Sequence, residues 1–283
     1  MINLKKIGIL LLCLFIFPAH VFAAGKSMQP LTVKAAMLVE MNTGRVLYQQ
    51  NADKIIQPAS LSKIMSLYLI SEDIEKKKAG YSDLVTISAS AVHTGGSKML
   101  FAAGAQYEVF DLVKGMAIHS ANDASVALAE HFGGSVNHFV ARMNDKAREL
   151  GMKHTHFVNP HGLPNRKQTT TARDIYILSR EYLRRFPNLQ KIHSIERFTF
   201  NDHILTNRND LLRNYPGADG LKTGYVCASG FHLVATARRG DAKLMAVVLG
   251  AQNRRIRSQQ TRKLLDYGFR LTGDQRINTR IGG

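Results

Sequence analysis

Cysteine is nearly absent: the 283 residues hold two, Cys13 and Cys227. Cys13 lies in a segment that reads as an export leader, so the mature chain keeps Cys227 alone. An internal disulfide is therefore excluded, although an exported protein meets a compartment that would permit one. Long apolar runs are also scarce. The one at the start, Ile7 to Phe17, follows Lys5 and Lys6 and precedes Val21-Phe22-Ala23, the layout of a signal peptide with its cleavage site. It is shorter than the roughly 20 residues that cross a bilayer, so residues 1–23 read as a cleaved leader, with an uncleaved anchor as the rival. No internal repeat and no low-complexity tract is present.

Acidic residues are few, 21 against 38 lysines and arginines, giving a formal charge of +17. Loss of Lys5 and Lys6 with the leader lowers this by two, to +15. Such a balance suits anionic partners. Nucleic acid is excluded as the expectation, because no stacking-aromatic motif or recognition helix accompanies the charge. A basic surface facing an anionic cell envelope is the more economical account. At 45% hydrophobic and 21% charged, the rest is ordinary globular material.

Ala35 to Glu40 and Arg45 to Gln49 flank Met41-Asn42-Thr43-Gly44 and read as a hairpin with a positive φ at Gly44. Pro58 then opens a helix that continues through Ile64, Met65, Leu67, Tyr68 and Leu69. Lys76-Lys77-Lys78 and Gly80 mark a solvated break, and Leu84 to Ile87 a short extended piece. From Val109 to Leu150 the apolar spacing is helical, and Thr171-Ala172-Arg173-Asp174 opens another helix that runs to Leu183. Strands return at Gly220–Val226, Gly230–Ala237 and Lys243–Gly250, and a final helix runs from about Arg257 to Phe269. Strands at both ends of the chain with helices between them give an α/β fold: an antiparallel sheet covered by the first and last helices, with a helical lobe inserted at about residues 88–185.

Chemistry concentrates in three triplets. Ser60 and Lys63 stand three residues apart, on one face of a helix, so a hydroxyl and an amine can share a cleft. Such an amine activates the hydroxyl only when burial or a neighbouring cation keeps it unprotonated. Ser120-Ala121-Asn122 follows a helical stretch at a loop, and Lys222-Thr223-Gly224 opens a strand. The S-x-x-K, S-x-N and K-T-G elements occur in that order in penicillin-recognising serine acyltransferases and β-lactamases. Ser135-Val136-Asn137 is a second S-x-N, but it follows Gly133-Gly134 in what reads as a turn. His154, His156 and His161 lack an H-E-x-x-H or acidic partner pattern and read as structural, so no metal or cofactor is expected. Cys227 reads as a small buried residue.

The chain resembles the low-molecular-mass penicillin-binding proteins that act as D-alanyl-D-alanine carboxypeptidases. The resemblance runs from about Ala35 to Phe269. Beyond the triplets it includes Pro58 to Met65, His119 to Ala124, Thr155 to Leu163, Thr171 to Asp174 and Asp219 to Gly224. It implies a β-lactamase/transpeptidase-like fold and a peptidoglycan stem peptide ending in D-Ala-D-Ala as substrate, with β-lactams as covalent inhibitors. Ser60 would attack the scissile carbonyl and Lys63 accept its proton. Ser120 would relay a proton to the departing amine, and Asn122 would offer its amide to the substrate and to Lys63. Lys222 and Thr223 would receive the terminal carboxylate, and Gly224 would keep the strand edge bare. The N–H groups of Ser60 and Tyr225 would form the oxyanion hole. By the same analogy Arg208 and Arg257 support the site. Read from the residues alone, Arg208 is equally a turn residue and Arg257 a surface charge of a basic helix.

Longer family members continue into a second, β-rich domain and an amphipathic tail. Here only Leu271 to Gly283 follows the closing helix, so residues 24–283 are expected to form one domain without a stable membrane anchor, in the periplasm or cell envelope. Three other functions compete with trimming of the last D-alanine. A D,D-endopeptidase that cuts cross-links is not separable by length, and Tyr225 stands where many carboxypeptidases carry histidine. A β-lactamase requires a deacylating base such as the glutamate of E-x-x-L-N, and no such pattern occurs between Asn122 and Lys222. A non-catalytic peptide receptor has no use for a nucleophile and its base.

Overall fold

A computed structural model describes residues 28–273. The expected signal segment and most of the polar tail lie outside the described residues.

The first strands, β1 (Ala35–Glu40) and β2 (Val46–Gln50), form the expected hairpin, and Gly44 takes a φ of +76°. The last three, β7 (Ala218–Val226), β8 (Gly230–Arg239) and β9 (Ala242–Ala251), join them in a sheet of order β2-β1-β9-β8-β7, antiparallel throughout. Alternation splits the central strands between two cores. Ala35, Met37, Val39, Met245, Val247 and Leu249 face one, while Ala36, Leu38, Leu244, Ala246 and Val248 face the other. Both faces are buried, which is why β9 reads as one continuous apolar run.

The closing helix, Arg254–Leu271, covers the second face through Leu264, Leu265 and Phe269, each stabilising by about 1.5–3 kcal/mol when fully buried. Gly268 sets its approach: a Cβ there would lie 2.7 Å from both Leu244 and Leu38 side-chain carbons. On the first face the helix Ala172–Arg185 packs directly on β1 and β9. The helix Ser62–Glu75, which carries Lys63, lies in the same core, packed on the helices around it. The sheet is thus covered on both faces, by the closing helix on one and, on the other, by a core to which Ser62–Glu75 and Ala172–Arg185 both contribute. The earlier helix is buried on nearly all sides, Lys63, Ser66, Ser71, Glu72 and Asp73 included. A helix buried on nearly every side is one enclosed by the core.

Between these parts lie β3 (Leu84–Thr86) paired with β4 (Gln106–Glu108), and the helices Ala89–His93, Val109–Lys114, Asn122–Gly133 and Val136–Glu149. A hairpin that the sequence reading passed over, β5 (Arg197–Phe200) and β6 (His203–Thr206), turns at Asn201-Asp202, both at positive φ. Its signal was present in the alternation of Phe198 and Phe200 ahead of two residues that tolerate the left-handed region.

Candidate active site

Ala59 to Leu61 form a 3-10 turn, and the α-helix begins at Ser62, so Ser60 stands one turn ahead of Lys63 as the spacing requires. Lys63 is fully buried. Its Nζ lies 3.2 Å from Ser60 Oγ, 2.6 Å from Asn122 Oδ1 and 2.6 Å from the His161 carbonyl oxygen. Burial holds its pKa well below the ordinary lysine range. Lys222 and then Arg208 push the same way, and Asp123 opposes them. A neutral amine has two N–H donors and one lone pair. Two short contacts to carbonyl-type oxygens and one longer contact to a hydroxyl match that inventory.

Each partner of Lys63 is itself held. Asn122 donates from Nδ2 to the Gly95 carbonyl at 2.7 Å, which turns its Oδ1 toward the lysine. Asp123 accepts from the N–H groups of Met99 and Leu100 and fixes the adjoining loop. The His161 loop is tied from two helices, because Ser66 and Ser125 both donate to the Pro160 carbonyl. Asp174, capped by Thr171, accepts from the His154 N–H and the Thr155 hydroxyl. The Thr171 to Asp174 motif therefore acts on the site through this loop. The His161 carbonyl was not singled out from the sequence, although its segment was among the resemblance motifs. The His161 ring, half-buried, is held down to a pKa of about 3 by desolvation and then by Lys63.

Ser120 sits at a φ of +68°, with a buried Oγ that has no hydrogen-bond partner among the described residues. A strained backbone and an unpartnered hydroxyl in one residue are features that concentrate at functional sites. Ser120 lines the same cleft as Ser60, whereas Ser135 caps the helix Val136–Glu149 through the His138 N–H.

The strand β7 forms the opposite wall. Thr223, Gly224 and Tyr225 line the cleft with Ser60. Lys222 is buried beneath them, donates to the Thr223 carbonyl at 3.2 Å, and is lowered to a pKa of about 7 by burial, Arg208 and Arg257. The bareness of Gly224 serves the nucleophile turn: a Cβ there would lie 3.2 Å from Ala59 Cβ and 3.3 Å from both the Pro58 oxygen and the Ser60 nitrogen. The Tyr225 ring is half exposed and stacks on Phe231 with centroids 4.2 Å apart. Cys227 is exposed, with its Sγ 3.2 Å from the Tyr225 hydroxyl, and the buried reading does not hold. It lies in the turn between β7 and β8, beyond the part of the strand that faces the core.

Arg208 is a cleft residue, not a free turn residue. Its neighbours point inward: Asn207 donates to the His193 and Ile195 carbonyls and Asn209 to that of Gly220, leaving Arg208 facing the opening. Arg257 is 4% exposed and pairs with Asp210 Oδ1 at 2.7 Å, so its reading as a surface charge is overturned. The pairing partner is 47 residues away, and helix periodicity carries no trace of it. Among the described residues no group of histidine, cysteine and carboxylate side chains is placed to hold a metal ion, and no helix is long and apolar enough to cross a membrane.

The sheet with its two helical covers, and the cleft of about 750 Å³ between the Ser60 turn and β7, define a serine peptidase of the penicillin-recognising fold. Residues 23–253 match the D-alanyl-D-alanine carboxypeptidase family, and the chain belongs to that family. It is 40% identical over 278 residues to D-alanyl-D-alanine carboxypeptidase DacF of Bacillus subtilis, covering 93% of this chain and 69% of that relative. The structure is similar to that of penicillin binding protein 5 from Haemophilus influenzae, with a TM-score of 0.84 and 37% identity over 87% of this chain and 73% of that one. It is also similar to Penicillin-Binding Protein D2 from Listeria monocytogenes in its ampicillin-bound form, with a TM-score of 0.75 and 30% identity over 86% and 100% of the two chains.

Proposed function

We propose that this chain removes the terminal D-alanine from peptidoglycan stem peptides ending in D-Ala-D-Ala, through an acyl-enzyme on Ser60. The observation that carries this reading is the set of three partners around Lys63, which suits an uncharged amine beside the Ser60 hydroxyl. Lys63 accepts the Ser60 proton as the oxygen bonds to the penultimate alanine's carbonyl carbon. The oxyanion is received by the N–H groups of Ser60 and Tyr225, and loss of one such donor costs about 10²–10³ in rate. The C–N bond then breaks, and the departing amine takes a proton that Ser120 relays from Lys63. Water adds to the ester, and a second pass of the same proton path frees Ser60.

Substrate position follows from the opposite wall. Thr223, Lys222, Arg208 and Arg257 receive the terminal carboxylate, and Asn122 orients Lys63 while offering its remaining amide hydrogen to the peptide. β-Lactams acylate Ser60 by the same attack, and without a dedicated deacylating base the adduct persists. An exported location in the periplasm or cell envelope fits this substrate, and residues 24–283 are read as one catalytic domain. The test compares wild type with Ser60→Ala on purified peptidoglycan and with fluorescent penicillin. Release of D-alanine and covalent labelling, both lost in the variant, support the proposal. Loss of dimeric muropeptides without free D-alanine replaces it with the cross-link-cleaving endopeptidase, and rapid penicillin turnover replaces it with a β-lactamase.

A further inference from the structure

The cleft carries more positive charge than a single terminal carboxylate requires. Arg208, Arg213, Arg254, Arg255 and Arg257 all line it, and the one carboxylate in its lining, Asp210, is already paired with Arg257. Among the described residues Arg208, Arg213, Arg254 and Arg255 form no ion pair. Three of the five, Arg254, Arg255 and Arg257, stand in the first turn of the closing helix, which has no acidic residue there. That placement sets cations at the positive end of a helix dipole, where anions are favoured. Buried beside them, the Arg257 Nε has no partner among the described residues. Burial lowers the pKa of both Arg208 and Arg257, and the nearby charge of Arg254 pushes each the same way. Such an arrangement is unfavourable in the empty protein and is relieved by an anion in the cleft. The exposed members, Arg213, Arg254 and Arg255, lie outside the Lys222–Thr223–Arg208–Arg257 group assigned to the terminal carboxylate.

We infer that Arg254, Arg255 and Arg213 form a second carboxylate subsite on the leaving-group side of Ser60, selecting substrates whose departing residue carries an acidic group besides its α-carboxylate. The inference rests on the reading of the cleft as a D-Ala-D-Ala site and refines it. The class of leaving group it favours is an acidic amino acid or acidic peptide, accepted alongside alanine.

The experiment uses two peptides with the same acyl portion, one ending in D-Ala-D-Glu and the other in D-Ala-D-Gln. They differ in one charge and almost nothing in shape. Wild-type protein is expected to favour the glutamate peptide about five- to tenfold in kcat/KM, the scale of one charge-assisted contact in a partly solvated cleft. The preference falls toward one in the R254Q/R255Q double variant, recovers in R254K/R255K, and shrinks as salt is raised. A ratio near one in wild type, or a ratio unchanged in the double variant, overturns the inference. The same pair is measured as competitors of fluorescent penicillin labelling, which requires binding without turnover. Protection with the glutamate preference but no hydrolysis sinks the hydrolytic proposal and keeps the subsite. Neither protection nor hydrolysis overturns both.

Discussion

Gly162 presses against Ala59: a Cβ on Gly162 would lie 1.8 Å from the Ala59 carbonyl oxygen, and Gly162 itself holds a φ of +89°. Its loop carries the His161 carbonyl that accepts from Lys63, so one glycine brings the general-base support and the nucleophile turn into contact. Gly162→Ala must displace one of them. The expected result is a fall of about 10²-fold or more in the rate of penicillin acylation, the scale on which an ångström of misplacement acts, with about 1–3 kcal/mol lost in stability. Stopped-flow acylation and denaturant unfolding measure the two, and an unchanged acylation rate would refute the contact's importance.

The two buried lysines set opposite limbs of the pH profile. Lys63 must be uncharged to accept a proton, so acylation falls as pH drops through its depressed pKa. Lys222 must be charged to attract a carboxylate, so KM rises as pH climbs through about 7. The profile of kcat/KM for a D-Ala-D-Ala peptide is therefore expected to be bell-shaped, with its alkaline limb near neutrality. A profile that stays flat from pH 6 to 9 excludes these assignments.

Arg257 and Asp210 form a pair of unequal burial, 5% and 34% exposed at the side chain. Arg257→Ala strands the Asp210 carboxylate, which the Ser258 hydroxyl also approaches at 2.6 Å. Because Asp210 is one-third exposed, the loss in stability is expected at about 1–2 kcal/mol, below the cost of breaking a fully buried pair. KM for the peptide is expected to rise more than kcat falls. Equal loss in both constants would place Arg257 in the chemical step instead.

Acid should weaken the fold through two buried histidines. His232 accepts from the Gly250 N–H at Nδ1 and faces Ser229 and the Gln57 carbonyl at Nε2, an arrangement for the neutral ring alone. Its pKa is lowered to about 4, chiefly by burial, and that of His193 to about 3, by burial and then Lys222. The unfolded chain binds these protons near pH 6.5 and the folded chain only below 4. Stability is therefore lost as pH falls from about 6.5 to 4, by about 3 kcal/mol for His232. Thermal unfolding across that range checks the slope, and His232→Gln should flatten it.

Legibility in the sequence followed the distance over which each feature is encoded. The triplets at Ser60, Ser120 and Lys222 were readable because each is local, and the β1–β2 hairpin because alternation and Gly44 announce it. Arg257 was misread because its burial depends on a loop folding back from Asp210, and a run of arginines looks the same solvated or enclosed. Cys227 was misread although the strand was expected to end at Val226: its residue type suggests burial, and nothing local shows that the turn after the strand exposes it. The His161 carbonyl is a backbone atom, and no residue code reports it.

The pairing of β1 with β9 governs how this molecule can assemble. Ala35 meets Leu249 and Glu40 meets Leu244, so the middle of the sheet joins segments about two hundred positions apart. Loop closure over such a span is slow, so this pairing is among the costliest steps of assembly. The reactive serine has a wall to face only once those final strands are in place. Completion of the cleft therefore waits on this long-range pairing, wherever the chain folds.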